Sequence, residues 1–290
     1  MIKVSLYVPC FNAGRYIKEC LESIFMQSYP IDEVLIIDDG STDNTVSICS
    51  RFLVKIISHP GNRGLSATRN TAFRAARNEF VASLDADCKA RPDWLEKLMK
   101  HFSGNNIAGV GGKLIEKYSL RTADKWRAIH MSQAWGEQII ENPSYLAGSN
   151  SVYRKSAIFQ VGFYNEACIR NYEDIDMSKR LISNGFQIIY SPDACIEHLR
   201  RDTLRSALKT YWHWGFHYFR KPDTLKQLLR KAESNYVVSR LFLLQDIKSK
   251  NHSLLFPDIM LFFYYCWLDF CYYMDHKFSP LAKTFISRKR

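Results

Sequence analysis

Short apolar runs alternate with amphipathic segments over the first hundred residues of the chain. The runs have the length of buried strands, whereas the segments between them repeat apolar side chains at helical spacing, as Ile17, Leu21 and Ile24 do. The predicted strands are Val4–Val8, Glu33–Ile37, Lys55–Ile57 and Phe80–Leu84, and the predicted helices are Arg15–Gln27, a helix ending at Cys49, and Ser66–Ala76. This alternation indicates a parallel, right-handed α/β sheet of the Rossmann-like kind, flanked by helices.

The pattern changes after Phe102. Further strands are predicted at Ile107–Gly112, Lys113–Glu116, Tyr145–Tyr153, Gln187–Tyr190 and Ala194–Glu197, and further helices at Thr122–Ile140 and Asn171–Ser183. Beyond residue 203 the pattern is helical throughout. We therefore predict a catalytic α/β domain over 1–202 and a helical, basic and aromatic C-terminal region over 203–290 that contacts an acceptor, a membrane or a second subunit.

Charge is distributed unevenly along the chain. The net charge is +11, and residues 201–290 hold sixteen Lys and Arg against seven Asp and Glu. Such a basic tail suits nucleic acid, anionic lipid or an anionic substrate. The eight cysteines are scattered without a C-x-x-C pair, which argues against a zinc site and a disulfide framework. With no signal peptide predicted at the start, a reducing, cytoplasmic compartment is expected.

Two carboxylates follow the predicted strand Phe80–Leu84. Asp85 and Asp87 lie one residue apart at its end, and ligands of open α/β sheets bind at the carboxyl ends of strands. Buried unpaired carboxylates are costly, so a core role explains them poorly. A divalent cation that bridges a diphosphate explains them, and a solvated turn is the alternative.

Three further groups of polar residues lie at the end of a predicted strand or at the start of a predicted helix. They are Asp38 with Asp39, the acidic group Glu173, Asp174 and Asp176, and His198. Four such clusters in one sheet indicate a jointly built polar site.

With these clusters the chain resembles the family 2 glycosyltransferases, which have the nucleotide-sugar-binding fold called GT-A. The matching stretches occur in the family's order over roughly the first 200 residues, and together they are specific although each is weak alone. They are Val8–Asn12, Asp38–Asp43, Asn62–Asn70, Asp85–Asp87, Gly148–Asn150 and Asn171–Asp176.

The resemblance implies a role for each matched residue. Asp87 is expected to be the direct metal ligand, Asp85 to lie nearer the ribose or the metal's water shell, and His198 to be a third ligand unless it is an ordinary capping histidine. Oxygen ligands favour Mg²⁺ or Mn²⁺. The expected nucleotide-binding residues are Pro9, Asn12, Asp39, Arg69, Asp85 and Ala86, and the expected donor-sugar residues are Gly148, Ser149 and Asn150.

For Asp39, Arg69 and Gly148 the expected contact can be stated more specifically. Asp39 is expected to accept a hydrogen bond from the base, which gives a preference for uracil. Arg69 either contacts the base or a phosphate or forms an ion pair with Asp38 or Asp39. Gly148 is expected to let the backbone approach the donor sugar closely.

Sugar transfer with inversion needs a carboxylate that takes the proton of the acceptor hydroxyl. Asp174 is the candidate base, and Glu173 and Asp176 are the alternatives. In the C-terminal region, the aromatic and basic segment Tyr211–Lys221 is predicted either to wall the acceptor site or to pack against the domain.

The apolar run Ile259–Leu268 is only ten residues long, whereas a membrane-spanning helix needs roughly 20. It is therefore predicted to be either an amphipathic attachment to the inner membrane face or a helix buried against the catalytic domain or a second subunit.

The leading interpretation is a metal-dependent inverting glycosyltransferase that moves a sugar from a nucleotide-diphospho-sugar, UDP-linked by preference, to a saccharide or lipid-linked saccharide. A sugar nucleotidyltransferase ranks behind it, because Pro9–Gly14 is not a glycine-rich phosphate loop. A basic nucleic-acid-binding protein ranks lower still, because no recognised nucleic-acid motif is present.

Overall fold

The computed structural model of the chain describes residues 2–104, 106–168, 171–216, 222 and 224–287. These form two compact units. The first comprises Met1–Lys117 and Ser132–Arg200, and the second Tyr118–Met131 and Arg201–Arg290. The second unit thus begins close to the predicted boundary at residue 202 but also includes 118–131, which the sequence pattern assigned to the first region. The functions predicted for the two regions stay predictions.

The first unit is built on a mixed β-sheet. Its strands are β1 (Val4–Cys10), β2 (Glu33–Asp38), β3 (Lys55–Ser58), β4 (Phe80–Leu84), β5 (Cys88–Ala90), β6 (Ile107–Glu116), β7 (Ile140–Glu141), β8 (Asn150–Arg154) and β9 (Gln187–His198). Their order is β3-β2-β1-β4-β8-β6-β9-β5, and β7 pairs with β9. Strands β1 to β4 are parallel, as predicted, whereas β8 runs antiparallel to both β4 and β6.

Helices cover both faces of this sheet. They are α1 (Ile17–Phe25), α2 (Thr45–Cys49), α3 (Leu65–Ala75), α4 (Trp94–Met99), α6 (Lys155–Gln160) and α7 (Glu173–Ser183). Successive side chains of a strand point to opposite faces, so Leu6 and Val8 join one core cluster with α1 and α4, and Tyr7 joins the other with α3 and α7. With both faces covered, the polar strand ends are left as the place for a ligand.

The second unit is helical. Its elements are α5 (Thr122–His130), α8 (Leu204–Phe216), α9 (Leu225–Lys248), a 3₁₀ turn (His252–Leu254) and α10 (Leu255–Ser287). Trp126, Leu208, Leu261 and Tyr265 are among the buried side chains of its core. The prediction that the chain is helical beyond residue 203 is confirmed for the described residues. Residues 217–221 of the predicted acceptor wall lie outside them.

Four predicted element boundaries are wrong, and one of them is the start of the strand predicted over Tyr145–Tyr153, which begins at Asn150 as β8. The helix predicted over Thr122–Ile140 ends at His130, because the following chain turns back to pair with β6 through a Leu114 N–H to Gln133 carbonyl bond. The two strands predicted on either side of residues 112–113 are one strand, β6, with a register shift there. Such a bulge lets a strand bend without ending. Likewise, the two strands predicted within 187–197 are the single strand β9.

The apolar segment near the C-terminus is longer than the ten residues noted in the sequence. Within the described part of the chain, one helical segment, His252–Asp275, has the length and composition to cross a membrane, and a third of it is buried inside the protein. Core helices of soluble proteins meet the same criterion. The apolar run itself is bounded by Asp258 and Asp269, but the helix continues through both.

Candidate active site

The carboxyl ends of β1 and β2 border a cavity of about 560 Å³ in the first unit. Parallel strands end at the same edge of a sheet, which is where α/β proteins bind their ligands. Its wall combines apolar side chains, one carboxylate and exposed backbone: Pro9, Cys10, Phe11, Asp39, Asn62, Gly64, Leu65 and Thr68. A planar base can lie against Pro9 and Phe11 in such a wall.

Asp39 organises the loop beside this cavity. Its carboxylate accepts hydrogen bonds from the backbone N–H groups of Arg63 (2.9 Å) and Gly64 (2.8 Å), and from His59 Nδ1 (2.7 Å). An ionised carboxylate offers about four acceptor positions, so one more is left for a ligand. The neighbouring Asp38 accepts from the Ser41 N–H and braces its own loop.

Asn12 fastens the loop after β1 to the loop after β2. Its Oδ1 accepts from the Thr42 N–H at 2.9 Å, and its own N–H donates to Ser41 Oγ at 2.9 Å. Asn12 has a φ of 51°, a left-handed conformation that asparagine tolerates better than most residues. Asn12 thus shapes the first loop beneath the cavity.

Arg69 lies inside the protein with a fractional exposure of 1%. Its Nη1 donates to Tyr7 Oη, Ser83 Oγ and the Gly148 carbonyl at 2.8–3.1 Å. Its Nη2 donates to Asp85 Oδ1 at 3.3 Å. The prediction that its ion-pair partner is Asp38 or Asp39 is wrong, and a position this deep does not favour stacking on the base.

The same guanidinium pairs with a second carboxylate, because Arg69 Nε lies 3.5 Å from Glu173 Oε1. Arg69 therefore connects the carboxylate after β4 to the acidic start of α7. These two acids lie 88 positions apart in the sequence, so their common partner is visible only in the fold.

Gly148 is required by Arg69. A Cβ at this position would lie 2.6 Å from Arg69 Nη2 and 2.7 Å from its Cζ, closer than such contacts occur. From the sequence, Gly148 is expected to allow the backbone to approach the donor sugar closely. In the structure, the side chain that lies close to Gly148 is that of Arg69.

The two residues that follow are also engaged by the protein. Asn150 is fully buried: its Oδ1 accepts from Trp94 Nε1 at 2.6 Å, and its Nδ2 donates to the Lys113 carbonyl at 3.1 Å. Ser149 Oγ donates to Gln133 Oε1 at 3.3 Å, and the Ser149 carbonyl accepts from the Asp85 N–H at 3.3 Å. Asn150 therefore aligns β8 within the sheet, and its predicted contact with the donor sugar stays a prediction.

Asp87 and His198 meet beyond the end of β4. His198 Nε2 lies 3.2 Å from Asp87 Oδ2, and its Nδ1 donates to Glu116 Oε2 at 2.8 Å. The sheet register explains this meeting, because His198 pairs with Glu116 on one side and with Cys88 on the other. Asp85 lies on the same turn, and the buried Ala86 between the two acids packs into the core.

This donor set fits a divalent cation. Neighbouring ligands of an octahedral ion with bonds of about 2.1 Å lie about 3 Å apart, the separation of Asp87 Oδ2 and His198 Nε2. A carboxylate that accepts from the other ring nitrogen orients metal-binding histidines, and Glu116 supplies that contact. Asp87 and His198 would hold the ion, with Asp85 beside them. The structure brings these predicted residues together, and their roles at a metal stay predictions.

The acidic start of α7 separates three carboxylates into different environments. Glu173 is buried against Arg69. Asp176 pairs with Arg180 at 2.7 Å. Asp174 is half-buried, and its oxygens accept hydrogen bonds from the backbone N–H groups of Ile175 (2.8 Å) and Gly148 (3.4 Å). Of the three, Asp174 has no side-chain cation as a hydrogen-bond partner in these contacts.

Burial alters the proton affinity of these acids. It raises the pKa of Glu173 to about 8, with a further contribution from the negative charge of Asp174 and an opposing one from Arg69. Burial also raises the pKa of Asp174, and Arg69 opposes the shift. The pKa of Asp85 is raised in the same way. Carboxyl groups with raised pKa values in a cleft are typical of functional sites.

The family model for glycosyl transferase family 2 matches residues 5–163, more than half of the chain. The chain belongs to this family. It is therefore a glycosyltransferase, and its central sheet flanked by helices is the GT-A fold.

Individual members resemble it at lower identity. The uncharacterized glycosyltransferase YibD of Escherichia coli K12 is 25% identical over 249 residues, which cover 81% of this chain and 72% of YibD. The poly-beta-1,6-N-acetyl-D-glucosamine synthase of Staphylococcus epidermidis is 26% identical over 247 residues, 81% of this chain. The match covers only 60% of that synthase, less than two thirds of its length.

The fold is also found in a solved structure. The mannosyltransferase PcManGT of Pyrobaculum calidifontis, in complex with GDP-Man and Mn²⁺, superposes with a TM-score of 0.57 at 21% sequence identity. The superposition covers 72% of this glycosyltransferase and 61% of PcManGT. At this identity the likeness concerns the fold.

Two side chains of the site were missed in the sequence. Glu116 is the last residue of β6 and orients His198, and His59 follows β3 and holds Asp39. Each is a polar residue at a strand end, which is the signal that identified Asp39 and Asp87. Glu116 was overlooked because its partner is set by the pairing of β6 with β9, which the sequence pattern did not predict.

Proposed function

We propose that this glycosyltransferase uses a divalent cation, Mn²⁺ or Mg²⁺, to transfer a sugar with inversion from a nucleotide-diphospho-sugar, UDP-linked by preference, to a hydroxyl of a saccharide or lipid-linked saccharide. The observation that carries the proposal is the meeting of Asp87 and His198 beside Asp85, with Glu116 holding the imidazole. The GDP-Man and Mn²⁺ bound to PcManGT support it by similarity of fold.

The nucleotide is proposed to occupy the cavity at the ends of β1 and β2. Pro9 and Phe11 offer apolar contact to a base, and the fourth acceptor position of Asp39 suits an N–H of that base, such as N3–H of uracil. Asn12 acts indirectly, by fixing the loop below. From this cavity the diphosphate is proposed to extend toward Asp87.

When bound, the cation would neutralise the negative charge that develops on the leaving diphosphate as the bond to the sugar breaks. The protein's part is to fix the ligands. Glu116 holds the imidazole of His198 so that Nε2 faces Asp87. Arg69 donates a hydrogen bond to the Asp85 carboxylate and so holds it beside Asp87 and His198. The positive charge of Arg69 therefore lies at the same strand end.

Asp174 is proposed to be the general base. It accepts the proton of the acceptor hydroxyl as that oxygen forms a bond to the sugar's anomeric carbon, while the bond from this carbon to the diphosphate breaks and its electrons leave with the nucleoside diphosphate. Attack from the face opposite the leaving group inverts the anomeric centre. Glu173 suits this role less because burial raises its pKa to about 8, so that near neutral pH it already holds a proton, and Asp176 suits it less because it is paired with Arg180.

A saccharide acceptor is proposed because the related synthase of Staphylococcus epidermidis is named for a glucosamine polymer. We also propose peripheral contact between the second unit and the inner face of a membrane, where a lipid-linked acceptor would be found. Exposed apolar side chains line α10, and residues 201–290 carry the chain's positive excess. Anionic lipid attracts basic segments beside apolar ones.

A thermal-shift screen tests the donor assignment. The full chain is heated with UDP, GDP, ADP and their sugars, in Mn²⁺ and in EDTA. A ligand that binds the folded state at 100 times its Kd stabilises it by about 2.7 kcal/mol, so the preferred nucleotide should raise the Tm by several degrees, and more in Mn²⁺. No shift with any nucleotide in either condition contradicts the proposal.

A further inference from the structure

Three acidic or imidazole side chains meet in the core of the second unit, apart from the residues assigned to sugar transfer. His130 is the last residue of α5, Asp246 lies on α9, and Asp258 lies on α10. His130 Nε2 is 2.8 Å from Asp246 Oδ2 and 3.7 Å from Asp258 Oδ1. One ligand atom from each lies within 4.8 Å of the other two.

These side chains are withdrawn from water. The fractional exposure is 1% for the His130 side chain and 0% for both carboxylates. Trp126 and Phe242 cover the imidazole, and the Phe242 ring stacks on it with centroids 4.1 Å apart. Burying an ionised carboxylate is costly unless a positive charge or several donors compensate it.

The donors present do not satisfy the site. Asp246 Oδ1 accepts from Asn251 Nδ2 at 3.2 Å, and Asp258 Oδ1 accepts from Trp126 Nε1 at 2.9 Å. Asp258 Oδ2 is buried without a hydrogen-bond partner. Within the described residues, the ion pairs of these two carboxylates are with His130 alone.

Protonation offers one compensation. Burial raises the pKa of Asp258 to about 7, with a contribution from the nearby Asp246 and an opposing one from the Trp126 hydrogen bond. Burial also lowers the pKa of His130, which Asp246 opposes.

A dication compensates two carboxylates directly. We propose that His130, Asp246 and Asp258 form a second metal site, distinct from the one at Asp87, which holds a transition-metal dication and binds Zn²⁺ more tightly than Mn²⁺. One imidazole nitrogen with two carboxylate oxygens suits such ions better than Mg²⁺ or Ca²⁺. Sites of this kind bind Zn²⁺ with higher affinity than Mn²⁺.

The geometry requires little adjustment. Ligand atoms around a tetrahedral Zn²⁺ with bonds of 2.0–2.2 Å lie roughly 3.3–3.6 Å apart. The separations of 2.8 and 3.7 Å from His130 Nε2 bracket that spacing. On binding, the imidazole proton moves from Nε2 to Nδ1, because the nitrogen that binds the metal must carry no proton. Nδ1 lacks a partner with or without the metal, so stacking on Phe242 keeps the ring in place.

The site ties three helices of the second unit together. It connects α5, which is separated from the rest of the second unit by residues 132–200 in the sequence, to α9 and α10. Since the ligands are buried, the ion is taken up as these helices assemble and leaves slowly afterwards. An ion at Asp87, which is partly exposed, exchanges readily. Resistance to chelator therefore distinguishes the two sites.

Elemental analysis tests the proposal. The full chain carrying Asp87→Ala is produced with Zn²⁺ or with Mn²⁺ in the growth medium, dialysed against EDTA and analysed for metal per chain. We expect about one equivalent of zinc and less manganese. Asp258→Asn, Asp246→Asn or His130→Gln in the same background should reduce the zinc at least tenfold.

The matched control is Asp269→Asn in that background. Asp269 is also buried on α10 and accepts from an indole, Trp212 Nε1, but it lies outside the cluster. It should retain the zinc. Less than a tenth of an equivalent in Asp87→Ala itself overturns the proposal whether or not the other variants fold, and so does full retention in Asp258→Asn.

Discussion

At the scale of single residues, Arg69 connects two carboxylates that the sequence places far apart. Its guanidinium contacts Asp85 after β4 and Glu173 at the start of α7, and it also donates to the carbonyl of Gly148. A planar group with five donors can hold several partners in fixed directions, which lysine cannot do. The role of Arg69 is therefore to position the acids around it.

The base assignment predicts a specific loss in Asp174→Asn. The amide keeps the size of the side chain and an acceptor for the Ile175 N–H but cannot take a proton, so turnover should fall by about 10²- to 10⁴-fold. Release of nucleoside diphosphate measures turnover, and titration calorimetry should show donor affinity within a few-fold of wild type. Asp176→Asn should change turnover far less, and the reverse ranking of the two variants assigns the base to Asp176.

Gly148→Ala should destabilise the protein. Its Cβ would approach Arg69 Nη2 to 2.6 Å, and forcing atoms into a packed interior typically costs about 1–3 kcal/mol. Equilibrium unfolding by urea measures the loss. Gly104→Ala is the matched control because a Cβ there meets nothing within 4 Å. Equal stability of the two variants would show that Arg69 is not held where the structure places it.

Glu173 should make the free energy of unfolding depend on pH. Its pKa is raised from 4.5 to about 8, so the folded state binds a proton more tightly than the unfolded state. Its contribution is therefore largest below pH 4.5 and is lost as pH rises toward 8. Relative to wild type, Glu173→Gln should become progressively more stable across that window, as urea unfolding at pH 5 and 8 can measure. A difference that does not change with pH contradicts the raised pKa.

The chemical nature of the site residues could be inferred from sequence, but their partners could not. Asp39, Asp87 and Asp174 each follow or begin an element that hydrophobic periodicity predicts. The ion-pair partners of Arg69 cannot be chosen from the sequence, because the choice among Asp38, Asp39, Asp85 and Glu173 depends on which strand ends meet. The contact of Gly148 with a buried arginine also follows only from the fold.

At the scale of elements, α10 presents two different surfaces. One side packs into the core of the second unit through Leu261 and Tyr265. The other exposes large apolar side chains three or four residues apart along the helix, which places them in one stripe: Phe256, Ile259, Phe263, Trp267 and Phe270. An exposed stripe of this size indicates a binding surface.

Membrane contact through this stripe predicts binding to vesicles that contain anionic lipid. Phe263 and Trp267 are 59% and 61% exposed, and burying such a side chain contributes about 1.5–3 kcal/mol. Phe263→Ser with Trp267→Ser should therefore weaken co-sedimentation at least tenfold. Leu53→Ser, at an apolar residue 91% exposed in the first unit, is the control. Failure of the wild-type chain to bind the vesicles rules out the contact.

Element types were predicted better than element ends. The strands of the parallel half were found because each is a compact apolar run, and β4 is buried along its whole length. The ends of α5 and β8 were misplaced because pairing with other strands, rather than local propensity, sets them. Asp258 and Asp269 interrupt the apolar pattern of α10 in the sequence, but the helix continues through both, and each carboxylate accepts from the indole N–H of a tryptophan.

At the scale of the whole molecule, the two units divide the chain's chemistry and its charge. The residues assigned to donor binding and transfer lie in the first unit. The positive excess lies in residues 201–290, with sixteen Lys and Arg against seven Asp and Glu. The proposed buried zinc site belongs to the second unit alone, so its loss should affect the stability of that unit without removing the ligands at Asp87.

The central claim is that a divalent cation held at Asp87 and His198 binds the diphosphate of a nucleotide sugar. Titration calorimetry of the full chain with a panel of UDP-linked sugars, in Mn²⁺ and in EDTA, tests it most directly when wild type and Asp87→Ala are compared. We predict that one donor binds wild type in Mn²⁺, and that both EDTA and Asp87→Ala weaken it at least tenfold, about 1.4 kcal/mol. Equal affinity in all these conditions would contradict the claim.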